Sequence, residues 1–533
     1  MAYLDCKKFN LISAMILAGC LASAIEPVHA SWTKKAAPDI LTLRSPFAGS
    51  KAPETAQHIT LVLAGDTGYA PHRALPRPNT VTKHGRTLSF ADTTRLIEQE
   101  INGDINFANM ETVVSDRTSL RARSKAFNFI THPNGAKHLV RAGFNLFSMA
   151  NNHSFDYGAE GVRESVVHAN ALLGHGLLAH AGIGRNRQEA AKAPVFTVKQ
   201  TRFAFGAIGI GASSGGIQRA RKARPGQLNL RDSSDVSLLM NNLRQADAQY
   251  RILSVHQGPE RVIRPSSYEV ATIKKTKLKQ GDIDLYVGHH AHVTRGVELN
   301  GERLIIYGLG NFLHHGTANM AGKGGCRDYS VLMRVHLVAD QPGSKPQLAA
   351  LEALPITATH MQTKRMEPAK AAQRIAVLNG LAAQFDQHSA GRKGVRFDIQ
   401  SDGRGLYCSP AASGHSNTRN LCAAHRPHMT ALNNTYARAL ATCGRSYRFK
   451  RAGPLVMVKN RLKRVKPAQV AALETVSLRG TDRVRTGRAK LPAITPRPDF
   501  SKMTKAQEKA YWTKVWYQKQ ARKRARKLAR SGG

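Results

Sequence analysis

The stretch Ser148-Met149-Ala150-Asn151-Asn152-His153-Ser154-Phe155-Asp156-Tyr157-Gly158 follows directly on the apolar run at residues 144–147. It sets amides, an imidazole and a carboxylate at the end of a strand-like segment. The same arrangement recurs five times. Residues 59–64 run into Gly65-Asp66, residues 105–108 into Asn109-Met110-Glu111, and residues 252–255 into His256-Gln257-Gly258. Residues 283–287 run into Gly288-His289-His290-Ala291-His292, and residues 304–307 into Gly308-Leu309-Gly310-Asn311-Phe312. Ligands of α/β proteins bind beyond the carboxyl ends of buried strands, so these six ends are expected to converge on one site.

Between the strand-like runs the spacing predicts helices over residues 93–101, 135–142 and 160–173. In the last, Val162, Val166, Ala169 and Leu173 share one face, and Gly174 and Gly176 punctuate its end. This alternation predicts a layered α/β domain over residues 58–340. A smaller lobe is expected over residues 355–453, with a helix at 371–385, and a basic tail over 455–533. Lys and Arg crowd residues 502–530 beside Tyr511, Trp512, Trp516 and Tyr517.

Before the domain, Lys7 and Lys8 precede an apolar stretch at residues 11–18, the order of an export signal and too short for a membrane span. Two processing routes stay open over residues 1–30. Leu17-Ala18-Gly19-Cys20 resembles a lipobox that would lipidate Cys20, and Val28-His29-Ala30 offers an ordinary signal-peptidase site. Residues 31–57 read as a tether.

The 533 residues hold 79 Lys and Arg against 35 Asp and Glu, a net charge of +44. Such a surface attracts an anionic polymer, a phosphate-bearing substrate or an anionic membrane. It fits nucleic acid too, but export disfavours that partner. Cys326, Cys408, Cys422 and Cys443 permit two disulfides in an exported protein, with three pairings open. The absence of a CxxC pair argues against a zinc knuckle.

Histidines two apart in an extended segment face the same side, which would point His290 and His292 together. With Asp66, Glu111, Asn152, His153 and His256 also at strand ends, the pattern suits a divalent-metal centre. Asp156 is placed to hold His153 by a hydrogen bond or to serve the turn before Gly158. Asn311, Asn109, His289 and Arg73 stand as outer-shell or substrate contacts.

The ordered set AGDTG, ANMET, ANNHSFDYG, VHQG, GHHAH and YGLGNF, over roughly residues 59–340, resembles the bacterial capsule-synthesis CapA family, also called poly-γ-glutamate synthesis proteins. That family is similar to calcineurin-like metallophosphatases. The resemblance implies a four-layer fold, with helices on both sides of a β-sandwich, and a site for two divalent ions, Mn, Fe or Zn. Asp66 would bind one ion, Asn152 and His256 the other, and His290 with His292 would be shared. His153 would be the acid for the leaving oxygen.

The chain departs from the metallophosphatase pattern at Gly68, where a histidine two residues after the aspartate is usual. It departs again at Asn109 to Glu111, where Glu111 is assigned as the bridging or compensating carboxylate. Two ions would stabilise a phosphoryl group and activate water. The leading expectation is a phosphatase-like hydrolase working with capsule-synthesis machinery at the envelope. The alternative is a non-catalytic assembly factor that holds an anionic polymer.

Overall fold

The protein is described by a computed structural model over residues 55–70, 75–210, 218–276, 281–386, 392–423, 425, 443, 455–458 and 461–464. The expected signal with Cys20, nearly all of the tether, Arg73 and the aromatic-basic tail lie outside the described residues. Among the described residues no helix is long and apolar enough to cross a membrane.

In chain order the elements that build the site are β1 (Gln57–Gly68), β2 (Ile105–Met110), β3 (Leu146–Ser148), α1 (Gly158–Leu173), β4 (Ala179–Ala181), β5 (Val195–Val198) and β6 (Thr201–Gly209). There follow α2 (Ser233–Gln245), β7 (Tyr250–His256), α3 (Ser267–Lys275), β8 (Leu285–His289), β9 (Val297–Asn300), β10 (Arg303–Ile306) and β11 (Asn311–His314). The last are β12 (Ser330–Ala339), β13 (Gln347–Thr357), α4 (Pro368–Ala382), β14 (Arg392–Gly394), β15 (Asp398–Ile399) and β16 (Gly405–Cys408).

Two large sheets form a mixed α/β fold. The first follows the order β15-β16-β13-β12-β1-β2-β3-β4, with β11 pairing β1, and the second β5-β6-β7-β8-β10-β9-β14. Residues 355–408 thus feed strands into both sheets.

Alternation along each strand explains the packing. Ile59, Leu61 and Leu63 of β1 join Phe203 and Phe205 of β6 and Leu285 and Val287 of β8 in one core between the sheets. The intervening Val62 and Ala64 face a second core with Val162, Val166 and Ala169 of α1. Ala204 and Ile208 of β6 and Tyr286 of β8 face a third, with Leu239 and Leu243 of α2.

The helix expected over 93–101 is cut short. A helix runs Phe90–Thr94, capped by the Ser89 hydroxyl on Asp92 N, and a single turn follows at Glu98–Glu100. Thr93 and Thr94 turn their hydroxyls back on Phe90 O and Ala91 O, which competes with helical continuation. Disulfides pair Cys326 with Cys443 and Cys408 with Cys422.

Candidate metal centre

Parallel register brings the strand ends into two rows. In the first sheet Asp66 is opposite Asn109, and Asn109 is opposite Ser148. In the second sheet Gly209 is opposite His256, and His256 is opposite His289. Since parallel strands finish on the same side, every polar group that follows a row opens towards one place. The rows are tied to each other by Ser254 Oγ to Ser148 Oγ at 2.8 Å. Gly65 is needed for close approach, because a Cβ there would lie 1.8 Å from Gly310 O; Asp66 N donates to that same oxygen at 3.1 Å.

Glu111 is at the centre and fully buried. Its Oε1 lies 3.4 Å from His256 Nε2 and 3.9 Å from His153 Nε2. Its Oε2 lies 3.8 Å from His292 Nδ1 and 3.5 Å from His314 Nε2. On one side His256 Nε2 is 2.6 Å from Asn152 Oδ1 and 3.0 Å from His290 Nδ1. On the other, Asp66 Oδ2 is 3.1 Å from His292 Nδ1 and accepts from His290 N at 3.3 Å. Asn109 Nδ2 donates to Asp66 Oδ1 at 2.8 Å and lies 3.2 Å from His256 Nδ1. His289 Nδ1 stands 3.4 Å from Asp66 Oδ1, and His292 Nδ1 is 2.8 Å from Asn311 Oδ1.

His290 and His292 do not converge for the reason expected from an extended segment. The strand stops at His289, and both residues take left-handed backbone, with φ of 84° and 54°. Such conformations are costly for residues with a Cβ and are found where surrounding structure enforces them, often at functional sites. The ring centres are 6.1 Å apart, His290 beside His256 and His292 beside Asp66, and each ring still brings a nitrogen to within 4.8 Å of the other's.

The electrostatics are those of a buried charge cluster. Burial and Glu111 push the Asp66 pKa up, but His289 and His292 outweigh them and hold it well below the ordinary range. Burial likewise opposes ionisation of Glu111, and His292 and His256 reverse it. For His292 burial works downwards while Glu111 and Asp66 raise the pKa to about 10. Burial drives His290 well below its usual value, helped by His256.

His153 has its Nδ1 2.7 Å from Asp156 Oδ2, and its ring packs on Phe129 at 4.1 Å. Asp156 also accepts from Phe129 N at 2.6 Å and from Lys125 Nζ, while its own N–H closes a turn on His153 O. The carboxylate thus holds His153, while the backbone of Asp156 closes the turn. Burial lowers the His153 pKa against the pull of Asp156. Asn151 supports the segment, its Oδ1 accepting from His153 N and its Nδ2 donating to Met110 O.

A cavity of about 650 Å³ opens over His153 and His292, lined also by Lys83, Arg261, Phe127 and Phe129. Sequence reasoning missed His314 and Lys125. His314 and His315, three and four residues past Asn311, were a legible signal for the first, whereas nothing near Lys125 marks it.

The residues present fit a divalent cation. Both Glu111 oxygens, Asn109 Oδ1, both His289 nitrogens and His314 Nε2 are buried without a hydrogen-bond partner, and Glu111, His290 and His292, like Asp66, Glu111 and His256, place donor atoms within 4.8 Å of one another. Buried polar groups in native proteins are ordinarily satisfied, so a donor set left open around one carboxylate suits an ion.

Residues 60–315 match the family described as bacterial capsule synthesis protein PGA_cap. An uncharacterized protein of Sinorhizobium fredii is 25% identical over 337 residues, covering 50% of this chain and 68% of that protein. The capsule biosynthesis protein CapA of Bacillus anthracis is 24% identical over 263 residues, 48% of this chain and 60% of that one. A probable polyglutamine synthesis accessory protein of Mycobacterium tuberculosis is 25% identical over 343 residues, 58% and 87% of the two chains. Residues 60–315, which hold nearly all of the strand-end segments and the whole of the buried cluster, are a domain of the bacterial capsule synthesis protein PGA_cap family.

Proposed function

We propose that the chain is an exported, divalent-metal-dependent hydrolase of a phosphate-bearing substrate, acting at the cell envelope in capsule or poly-γ-glutamate biosynthesis. The observation that carries this is the fully buried, unpartnered Glu111 carboxylate ringed by His153, His256, His292 and His314. Asn152, His256 and His290 would hold one ion and Asp66 with His292 the other, Glu111 lying between them. Nitrogen and oxygen donors of this kind accept Mn, Fe or Zn. Bound ions would supply Lewis-acid stabilisation of a phosphoryl group and a more acidic water.

The chain's own residues do the rest. Nδ1 of His153 donates to Asp156, so the proton given to a leaving oxygen is the one that Nε2 takes up when the ring becomes an imidazolium; Nε2 faces Glu111 beside the cavity. A pKa lowered by burial makes the imidazolium a stronger acid. Lys83 and Arg261 on the cavity and the net charge of +44 draw an anion in. The four-layer metallophosphatase-like arrangement is supported by strands that alternate between a shared core and a helix-covered core. Two disulfides support export, by lipoprotein or ordinary signal.

The charge also favours a second reading, a non-catalytic factor that holds an anionic polymer. Metal analysis of the purified chain, coupled to a phosphomonoester and phosphodiester screen with Asp66→Asn and His153→Ala, separates the two. Bound metal and hydrolysis lost in both variants are expected. A chain without metal, or His153→Ala supporting normal polymer production, sinks the hydrolase; salt-sensitive polymer binding that survives in that variant supports the holding role.

A further inference from the structure

The strand β11 pairs in parallel with β1, and the residue opposite Gly68 is His314. The parallel register thus brings an imidazole in from the strand beside β1. His314 is fully buried, edge-on to Phe129 at 5.1 Å and to His292 at 5.7 Å. Its Nε2 faces Glu111 Oε2 at 3.5 Å, and neither atom has a closed hydrogen bond.

An imidazole so placed has two roles open to it, ligand or donor, and the far side of the ring decides between them. Gly316 N donates to His314 Nδ1 at 3.1 Å. Nδ1 therefore offers its lone pair to the backbone, and in the neutral ring the proton must sit on Nε2. A ligating imidazole needs the opposite arrangement, with the remote nitrogen donating and the near one free. Residue 316 has to be glycine for this contact, because a Cβ there would lie 2.4 Å from the Phe129 ring and 2.8 Å from His314 Cε1.

We propose that His314 is the positioning residue of Glu111: its Nε2–H holds Oε2 and turns Oε1 towards Asn152, His256 and the cation site. The present gap is about half an ångström longer than a closed N–H···O bond, a distance one side-chain adjustment covers. With Oε2 held by His314, the ion position on the Asp66 side would be the weaker of the two. This rests on the metal-binding reading of the site.

The test is Co²⁺ titration of the full chain, followed by visible absorption and calorimetry, in the parent, His314→Phe and His314→Gln. His314→Phe keeps a ring against Phe129 but has no donor, and should weaken Co²⁺ binding 10- to 100-fold, as loss of an orienting partner does. His314→Gln restores an N–H and should bind within about threefold of the parent, with the same absorption bands. Unaltered binding by His314→Phe overturns the proposal alone, and so does a glutamine variant as weak as the phenylalanine one with shifted bands, which is the signature of a direct ligand. A parent chain that binds no Co²⁺ overturns the metal reading with it. Nitrogen-15 NMR of histidine-labelled parent protein gives a readout independent of any variant: the Nε2–H tautomer is expected at His314, and the Nδ1–H tautomer refutes the assignment.

Discussion

Replacing Arg295 by Met should unlock the two loops that hold the histidines, with a cost that depends on pH. Arg295 has no exposed surface. Its guanidinium pairs with the buried carboxylate of Glu269 on α3 and donates to Pro259 O at 3.1 Å, while Nε donates to Val262 O at 2.8 Å. Those carbonyls belong to the loop after His256, and Arg295 itself follows His292 by three residues, so one side chain joins both. Met has similar length and fills the space, but Glu269, 2% exposed, keeps its charge and loses its cation.

Breaking such a pair costs about 3–5 kcal/mol. An upper bound comes from the escape open to the carboxylate, which is to take a proton. From an ordinary pKa near 4.3 this costs about 1.4 kcal/mol per pH unit, hence about 4 kcal/mol at pH 7 and about 1 kcal/mol at pH 5. Urea unfolding of the metal-free chain with disulfides intact, followed by two probes whose transitions coincide, measures the difference. The expected loss is about 3–4 kcal/mol at pH 7, falling towards about 1 kcal/mol at pH 5, with much of it recovered in Arg295→Met/Glu269→Gln. A loss below about 1 kcal/mol at pH 7, or one that does not change with pH, would show that the buried charge is not what Arg295 answers.

Three other outcomes are expected. The pKa of Glu352 is pushed up by burial but held at about 2 by His336 at 3.0 Å and Arg404 at 2.7 Å, so its contribution of about 3 kcal/mol is complete above pH 4.5 and lost as pH falls towards 2. In urea midpoints, the gap between the parent and Glu352→Gln should therefore be wide at pH 7 and narrow near pH 2; a constant gap contradicts the assignment. Because Glu111 and Asp66 keep His292 protonated at neutral pH, metal uptake at pH 7.5 should release about one proton, seen as a dependence of calorimetric heat on the buffer's ionisation enthalpy, and none would be released if His292 takes no part. Deleting residues 502–533 should weaken binding to polyphosphate and flatten its salt dependence, and an unchanged slope removes the tail from polyanion binding.

Much of the site was legible because strand ends are local events. Each apolar run stops where a polar side chain begins, and that boundary shows in Asp66, Asn109, Asn152, His256 and His289 before any folding is considered. His290 and His292 were found through a wrong geometric reason, since left-handed backbone at both positions arises from the turn after β8, which period-two reasoning does not contain. Lys125 was invisible because it meets Asp156 across 31 residues with no pattern joining them. His314 stood in plain view but had no role until β11 was laid against β1.

The amino-acid order by itself determined the alternation of strands and helices, the six polar strand ends, the family resemblance, the charge of +44 and the number of disulfides permitted. Those follow from side-chain chemistry and short-range periodicity, which the chain records residue by residue. Tertiary structure alone decided which cysteines pair, that Glu111 lies among four imidazoles, and that His314 is opposite Gly68. These depend on register between strands far apart in the chain, and register is set by the packing of both faces of two sheets at once, a condition no local segment can express.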